Sequence, residues 1–167
     1  MSDIYKEYLV KRKKKISDFA MQIVIVVLGI LLAFFAFVYL GGFLGSIVSI
    51  AVVFGGYKLF LKMNKEYEYI LTNSELDIDV IYSKQERKRR YSLNMKKIDI
   101  MVSIENKDYM NQLKRQAKLI DASDGKLTKE TYAILVPEET GYKKILITPN
   151  DTFLNYLYKT APTKVIK

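Results

Sequence analysis

The chain has 167 residues, 27 Lys and Arg against 18 Asp and Glu, and a formal charge of +9 at neutral pH. It contains no Cys and no His. That excludes disulfides, thiolate nucleophiles and imidazole acid–base chemistry, and leaves a transition metal few suitable ligands.

The length suits one domain plus a membrane anchor. Residues 1–18 form a basic head, with Lys6, Lys11, Arg12, Lys13, Lys14 and Lys15 against Asp3, Glu7 and Asp18. Ile4, Tyr5, Tyr8 and Leu9 recur at helical spacing. Ser2 to Ile16 therefore reads either as a short interfacial helix on anionic lipid or as a positive flank that sets membrane topology. A cleaved signal peptide fits less well: the following apolar run is too long, no small-x-small site follows it, and a second apolar run comes directly after.

From Phe19 to Tyr57, thirty-nine residues pass without a charge, broken only by Gly41-Gly42. A bilayer core is crossed by about 20 apolar residues, so the run predicts a transmembrane hairpin over 19–61, with spans at 19–40 and 43–61. A single bent or re-entrant helix would overshoot one bilayer. Lys11 to Lys15 flank the first span, and Lys58, Lys62 and Lys65 the second. The positive-inside rule then places both termini in the cytoplasm of a cell-membrane protein. Gly29 with Ala33, Gly45 with Ser49, and Ala51 with Gly55 lie four apart, a spacing that lets helix backbones approach within the hairpin or between copies. No ionisable residue lies inside the spans and Gln22 is near an end, which argues against an ion pathway and a pore-forming hairpin.

Residues 62–167 form the domain after the hairpin, and from Glu66 the pattern switches to period two, the signature of half-buried strands. Strands are expected at 67–72 and 75–82 around the tight turn Asn73-Ser74. Leu76, Ile78, Val80 and Tyr82 then share one face, and Glu75, Asp77, Asp79 and Ile81 the other. Further strands are expected at 87–93 (with Arg89, Tyr91 and Leu93 on one side), 98–103, 118–122, 132–136 and 142–147. Residues 105–116 read as a loop or short helix, Ser123-Asp124-Gly125 as a turn, and 137–141 as a hairpin turn. A C-terminal helix follows, with Thr148 as N-cap, Pro149 at its first position and Asp151 completing a capping-box-like start. Its apolar face, Phe153, Leu154, Leu157 and Tyr158, is long enough to cover the open end of a rolled sheet. The fold class is α+β: a two-helix transmembrane hairpin, then a mainly-β rolled sheet of about seven strands capped by a helix.

That order resembles the pleckstrin-homology superfold. The chain is also similar to an uncharacterised family of small two-span proteins from Gram-positive, mostly anaerobic bacteria. The residues that carry this resemblance are Ile4 to Val10, Tyr69 to Asp79, Ile120-Asp121-Ala122-Ser123, Thr148-Pro149-Asn150 and Ala161-Pro162. It implies the fold and brings no known activity. Pleckstrin domains that hold phosphoinositides place basic residues around the loop after their first strand. Here that loop reads as Asn73-Ser74, short and uncharged, so specific phosphoinositide recognition is not implied.

The densest charge cluster is Arg87, Lys88, Arg89 and Arg90. It reads as a possible lipid-contact patch together with Lys11, Arg12, Lys13, Lys14 and Lys15, or as a guarded strand edge. Beside Tyr82 and Tyr91 it also fits phosphate contacts with base stacking, but no motif supports nucleic acid. The carboxylates Asp77 and Asp79, and Glu138 and Glu139, suit a hard cation or acid–base work, and more often such pairs face solvent. There is no phosphate-cradling glycine loop and no nucleophile elbow, so no enzyme, cofactor or metal is expected. The leading expectation is a membrane-anchored cytoplasmic interaction module with a protein partner or self-association. The alternative is an anionic-lipid binder or sensor working through the basic patch.

Overall fold

The computed structural model describes residues 5–139 and 141–167. Ser2 to Ile4 of the expected head, and Thr140 of the expected 137–141 turn, lie outside the described residues. The rest of the head corrects the expectation of an interfacial helix: Tyr5–Lys11 is a β-strand, β1. It pairs antiparallel with β2 (Lys65–Thr72), Tyr8 opposite Tyr69 and Val10 opposite Tyr67. A helix this short is marginal in water. As a strand the same residues place Tyr8 and the buried Val10 on the core face and leave Tyr5 and Leu9 exposed on the other.

β3 (Glu75–Tyr82) and β4 (Glu86–Asn94) complete a four-stranded sheet in the order β1-β2-β3-β4. Leu76, Ile78 and Val80 are buried, as the alternation predicts. A bulge breaks the period in β4. Tyr91 lies opposite Ile78 and Arg89 opposite Asp79, leaving Arg90 as the extra residue. Arg89 is therefore not on the face of Tyr91 and Leu93, because an inserted residue reverses the alternation beyond it.

The second sheet contains β5 (Ile100–Ser103), β6 (Ala117–Asp121), β7 (Tyr132–Glu138) and β8 (Gly141–Ile147), in the order β5-β7-β8-β6. β6 runs parallel to β8, and β7 pairs antiparallel with β5 and β8. Pro137 sits within β7 beyond the end of its pairing with β5, where its missing N–H breaks no ladder. A 3-10 turn at Lys107–Tyr109 and the short helix α3, counted after the two long helices below, at Met110–Leu113 fill the expected loop-or-helix segment. Eight strands occur among the described residues, and the one beyond the expected seven is β1.

The last helix, α4 (Asp151–Thr160), buries Phe153, Leu154 and Leu157, each stabilising by roughly 1.5–3 kcal/mol. Phe153 stacks on Tyr8 at 5.9 Å and meets Tyr69 at 6.1 Å, so β1 and the helix share one core. The N-cap is Asn150, whose Oδ1 accepts from the Phe153 N–H at 2.8 Å. Thr148, the expected cap, is engaged elsewhere: its Oγ1 accepts from the Asp124 N–H.

Between β1 and β2 the chain forms a separate unit of two helices, α1 (Ile16–Leu40) and α2 (Gly42–Met63), joined by Gly41. Both are long and apolar enough to cross a membrane. Of the expected packing residues, Ala33, Gly45 and Ser49 do meet. The Ser49 hydroxyl lies 2.7 Å from the carbonyls of Ala33 and Gly45. A Cβ on Gly45 would fall 2.7 Å from the Ala36 carbonyl oxygen, so only glycine permits this approach. Gly29 has open space around it and takes no part in that contact.

Candidate functional site

The residues around the point where the chain leaves β1 form a densely bonded polar cluster. Tyr67 and Tyr69 point inward from β2 toward the second sheet. The Tyr67 hydroxyl donates to the Asp121 carbonyl at 3.0 Å, and the Tyr69 hydroxyl to the Ala122 carbonyl at 2.5 Å. Tyr69 also accepts from the Thr148 N–H at 3.1 Å. One fully buried phenol thus joins β2, the end of β6 and the end of β8. Burial pushes its ionisation far above the usual tyrosine range, so it stays a neutral donor. Burial raises Tyr67 as well, with Arg12 beside it pulling the other way.

The turn after β6 is built by its own side chains. The Asp121 Oδ1 accepts from the Ser123 N–H and hydroxyl, and the Asp124 Oδ1 from the Lys126 N–H. Gly125 has φ +88°, and a Cβ there would lie 3.1 Å from the Lys13 carbonyl. Glycine is needed for the left-handed backbone and for the close approach. The turn then grips the chain leaving β1. The Lys13 N–H donates to the Asp124 carbonyl at 2.6 Å, and its ammonium meets the Asp124 Oδ2 at 2.6 Å. Lys13, one of the expected lipid-contact residues, is thereby engaged by the domain itself, and Arg12, another, lies beside Tyr67 and Gly125.

Partial burial pushes the Asp124 carboxyl up, but the bond from Lys13 and the Lys126 N–H outweigh it and hold the group below the usual carboxylate range. A lowered folded pKa stabilises above the unfolded value of about 4 and is lost as pH falls through the folded one. The stability difference between the native chain and Asp124→Asn is accordingly largest at neutral pH and closes in acid. Urea titrations of the full chain in detergent at several pH values measure it, and a pH-independent difference would rule the charge out as the cause.

The cluster Arg87, Lys88, Arg89 and Arg90 is divided by the fold. Arg87 pairs with Glu68 and with Asp79 at 2.9 Å. Arg89 pairs with Asp77 at 3.0 Å and Asp79 at 3.1 Å. Three carboxylates meet two guanidiniums, so this group carries a net negative charge. Asp79 is only 5% exposed, and the arginines occupy the place a cation bound by Asp77 and Asp79 would need. Lys88 lies opposite Val80, Arg90 is the bulge residue, and both are exposed. Lys11, Lys14 and Lys15 are exposed as well. Glu138 is also committed: it accepts from the Tyr91 hydroxyl at 3.0 Å and pairs with Lys143. The Lys143 bond, foremost, holds the Glu138 carboxyl below its ordinary range.

Period two showed the strands but not these partners. The turn Ser123-Asp124-Gly125 was visible, whereas its contact with Lys13 spans 111 positions. The loop after the first strand also changes identity. It is not Asn73-Ser74 but the whole excursion from 12 to 64, with its basic flanks.

Two four-stranded sheets closed by one C-terminal helix over a shared core define a pleckstrin-homology-like domain, here with two long apolar helices placed between its first two strands. Sequence comparison agrees. The chain belongs to the family described as Bacterial PH-like domain (DUF6106), whose model matches residues 2–167. No curated protein matches the chain.

Proposed function

We propose that this chain is a membrane-anchored cytoplasmic interaction module, in which the hairpin fixes the PH-like domain at the inner face of the cell membrane for a protein partner or a second copy. The observation that supports it is the pairing of β1 with β2, Lys11 opposite Glu66. A chain that leaves a sheet and rejoins its neighbouring strand must end the excursion on the side where it began. Two spans satisfy this and one does not. The basic flanks on both sides of the hairpin then favour the cytoplasm. Anchor and domain are parts of one another, so the domain stays at the bilayer.

In this reading the protein is not an enzyme and takes no cofactor, since it has neither Cys nor His and Asp77, Asp79 and Glu138 are bonded to arginine, lysine or tyrosine. The alternative, anionic-lipid binding through Arg87 to Arg90, is weakened by the ion pairs of Arg87 and Arg89. Each would have to exchange an existing carboxylate for a headgroup.

The topology is read with single cysteines in this cysteine-free chain. In intact cells Gly42→Cys reacts with a membrane-impermeant maleimide, and Lys96→Cys reacts only after lysis. The reverse pattern would put the domain outside. Affinity capture from detergent-solubilised membranes then recovers a reproducible partner or a second copy. Repeated capture that yields neither removes the interaction reading.

A further inference from the structure

We propose that the loop Gly125 to Lys129 is a second, non-helical membrane contact, with Leu127 entering the interface of an anionic bilayer and Lys126 and Lys129 meeting its headgroups. This rests on the reading of α1 as a membrane span. The loop is placed by the chain itself. Asp124 holds Lys13 through both backbone and side chain, and Lys13 is three residues before the start of α1 at Ile16. Consecutive residues advance at most about 3.6 Å each, so that link reaches no more than about 11 Å. The headgroup layer on each side of the bilayer is roughly 5–7 Å deep. A loop bonded to Lys13 is therefore kept within reach of the surface that α1 enters.

The loop is shaped for such a contact. Leu127 is 64% exposed, and Lys126, Thr128 and Lys129 are exposed around it. It is held rather than loose. The buried Thr131 donates its hydroxyl to the Lys126 carbonyl at 2.9 Å and accepts from the Thr128 N–H, and the Ser103 hydroxyl donates to the Lys129 carbonyl. An apolar residue fixed outward between two lysines loses little entropy on insertion. Glu130 and Asp121 are the nearby opposing charges, and Asp124 is already paired with Lys13. Lys126, Lys129 and Arg12 still leave the local balance positive by one, so an anionic surface is favoured over a neutral one.

The test uses the full chain in vesicles of phosphatidylcholine, with or without phosphatidylglycerol. An environment-sensitive fluorophore is placed on Leu127→Cys, on Leu31→Cys within α1, or on Lys96→Cys. Lys96 follows the end of β4 that pairs with Glu75, at the opposite end of the sheet from the Lys11–Glu66 pair. A quencher carried on lipid chains should quench the Leu127 label several-fold more than the Lys96 label, and more strongly when phosphatidylglycerol is present. The Leu31 label should be quenched in both vesicles. A quenched Leu31 label with Leu127 indistinguishable from Lys96 overturns this inference and leaves the membrane reading intact. An unquenched Leu31 label overturns both. Equal quenching of Leu127 in neutral vesicles overturns the role of the lysines. Since labelling removes the leucine, a Thr128→Cys label with Leu127 in place supplies a second readout. Its quenching should fall to the Lys96 level when Leu127 is changed to Asp, and unchanged quenching counts against insertion.

Discussion

A chain that begins at Lys65 should fail to fold, whereas one in which residues 14–65 are replaced by a short turn should give a soluble, cooperatively folding domain. The first lacks β1. It loses Val10 and the Tyr8 stack on Phe153, roughly 1.5–3 kcal/mol per side chain, and it leaves β2 as an unpaired edge beside Tyr67 and Tyr69. Removing the Lys13 grip on Asp124 adds to the loss. Native domains are stable by only about 5–15 kcal/mol in total, so the deficit is a large part of the whole. The second keeps β1, Arg12 and Lys13, and joins them to Glu66 through about five Gly and Ser residues, a connection of about seven in all and well short of the roughly 12–15 at which loops become uncommon. Thermal unfolding followed by circular dichroism, with size-exclusion chromatography, separates the two cases. If the shorter fragment melts as sharply and as high as the chimera, β1 is not an integral strand.

Tyr69→Phe should destabilise the domain by about 2–4 kcal/mol, because it leaves the Ala122 carbonyl and the Thr148 N–H without their partner at about 1–3 kcal/mol each. Tyr67→Phe removes one bond in a less buried position and should matter less. Denaturant titration of the same soluble chimera gives both values. A Tyr69→Phe change under about 0.5 kcal/mol, within the range of an ordinary surface substitution, would mean that the phenol is not the bridge between the sheets. The phenol has a second signature. Its folded pKa is raised, so its contribution is complete below the unfolded value near 10 and is lost as pH rises above it. Alkaline destabilisation should therefore be shallower in Tyr69→Phe than in the native sequence.

The elements that could be read from the chain alone are those whose signal is local. The charge-free run marks both long helices, and period two marks β2, β3 and the strands of the second sheet. The apolar face Phe153, Leu154, Leu157 and Tyr158 marks the last helix, although Tyr158 at its edge stays exposed. β1 was not legible because Ile4, Tyr5, Tyr8 and Leu9 fit a helical spacing, and its partner strand begins only after the hairpin. The bulge at Arg90 was hidden for a related reason: nothing in Arg-Lys-Arg-Arg shows which residue is extra until Asp79 and Ile78 claim their neighbours. The basic cluster looked like one patch because sequence displays charge without the carboxylates of β2 and β3 that absorb it. Thr148 offered a good cap and lost the role to Asn150 because Asp124, far away in the chain, had the stronger claim on its hydroxyl.

The separation of β1 from β2 also dictates an order of events at the ribosome. β1 emerges first and has nothing to pair with until residues 12–65 have been made. At about 5–20 residues per second that delay is roughly 3–11 seconds. If the hairpin is the membrane anchor proposed above, its two apolar helices are delivered to the insertion machinery during that interval, while Tyr8 and Val10 wait uncovered. Once the helices have paired, the distance from Lys13 to Lys65 no longer has to be searched as a long flexible loop, and closing the sheet becomes a short-range event. In the proposed reading, membrane insertion is thus a folding step of the PH-like domain. A chain whose hairpin fails to insert should present an incomplete sheet to the cell's proteases, giving quality control a direct readout of correct delivery.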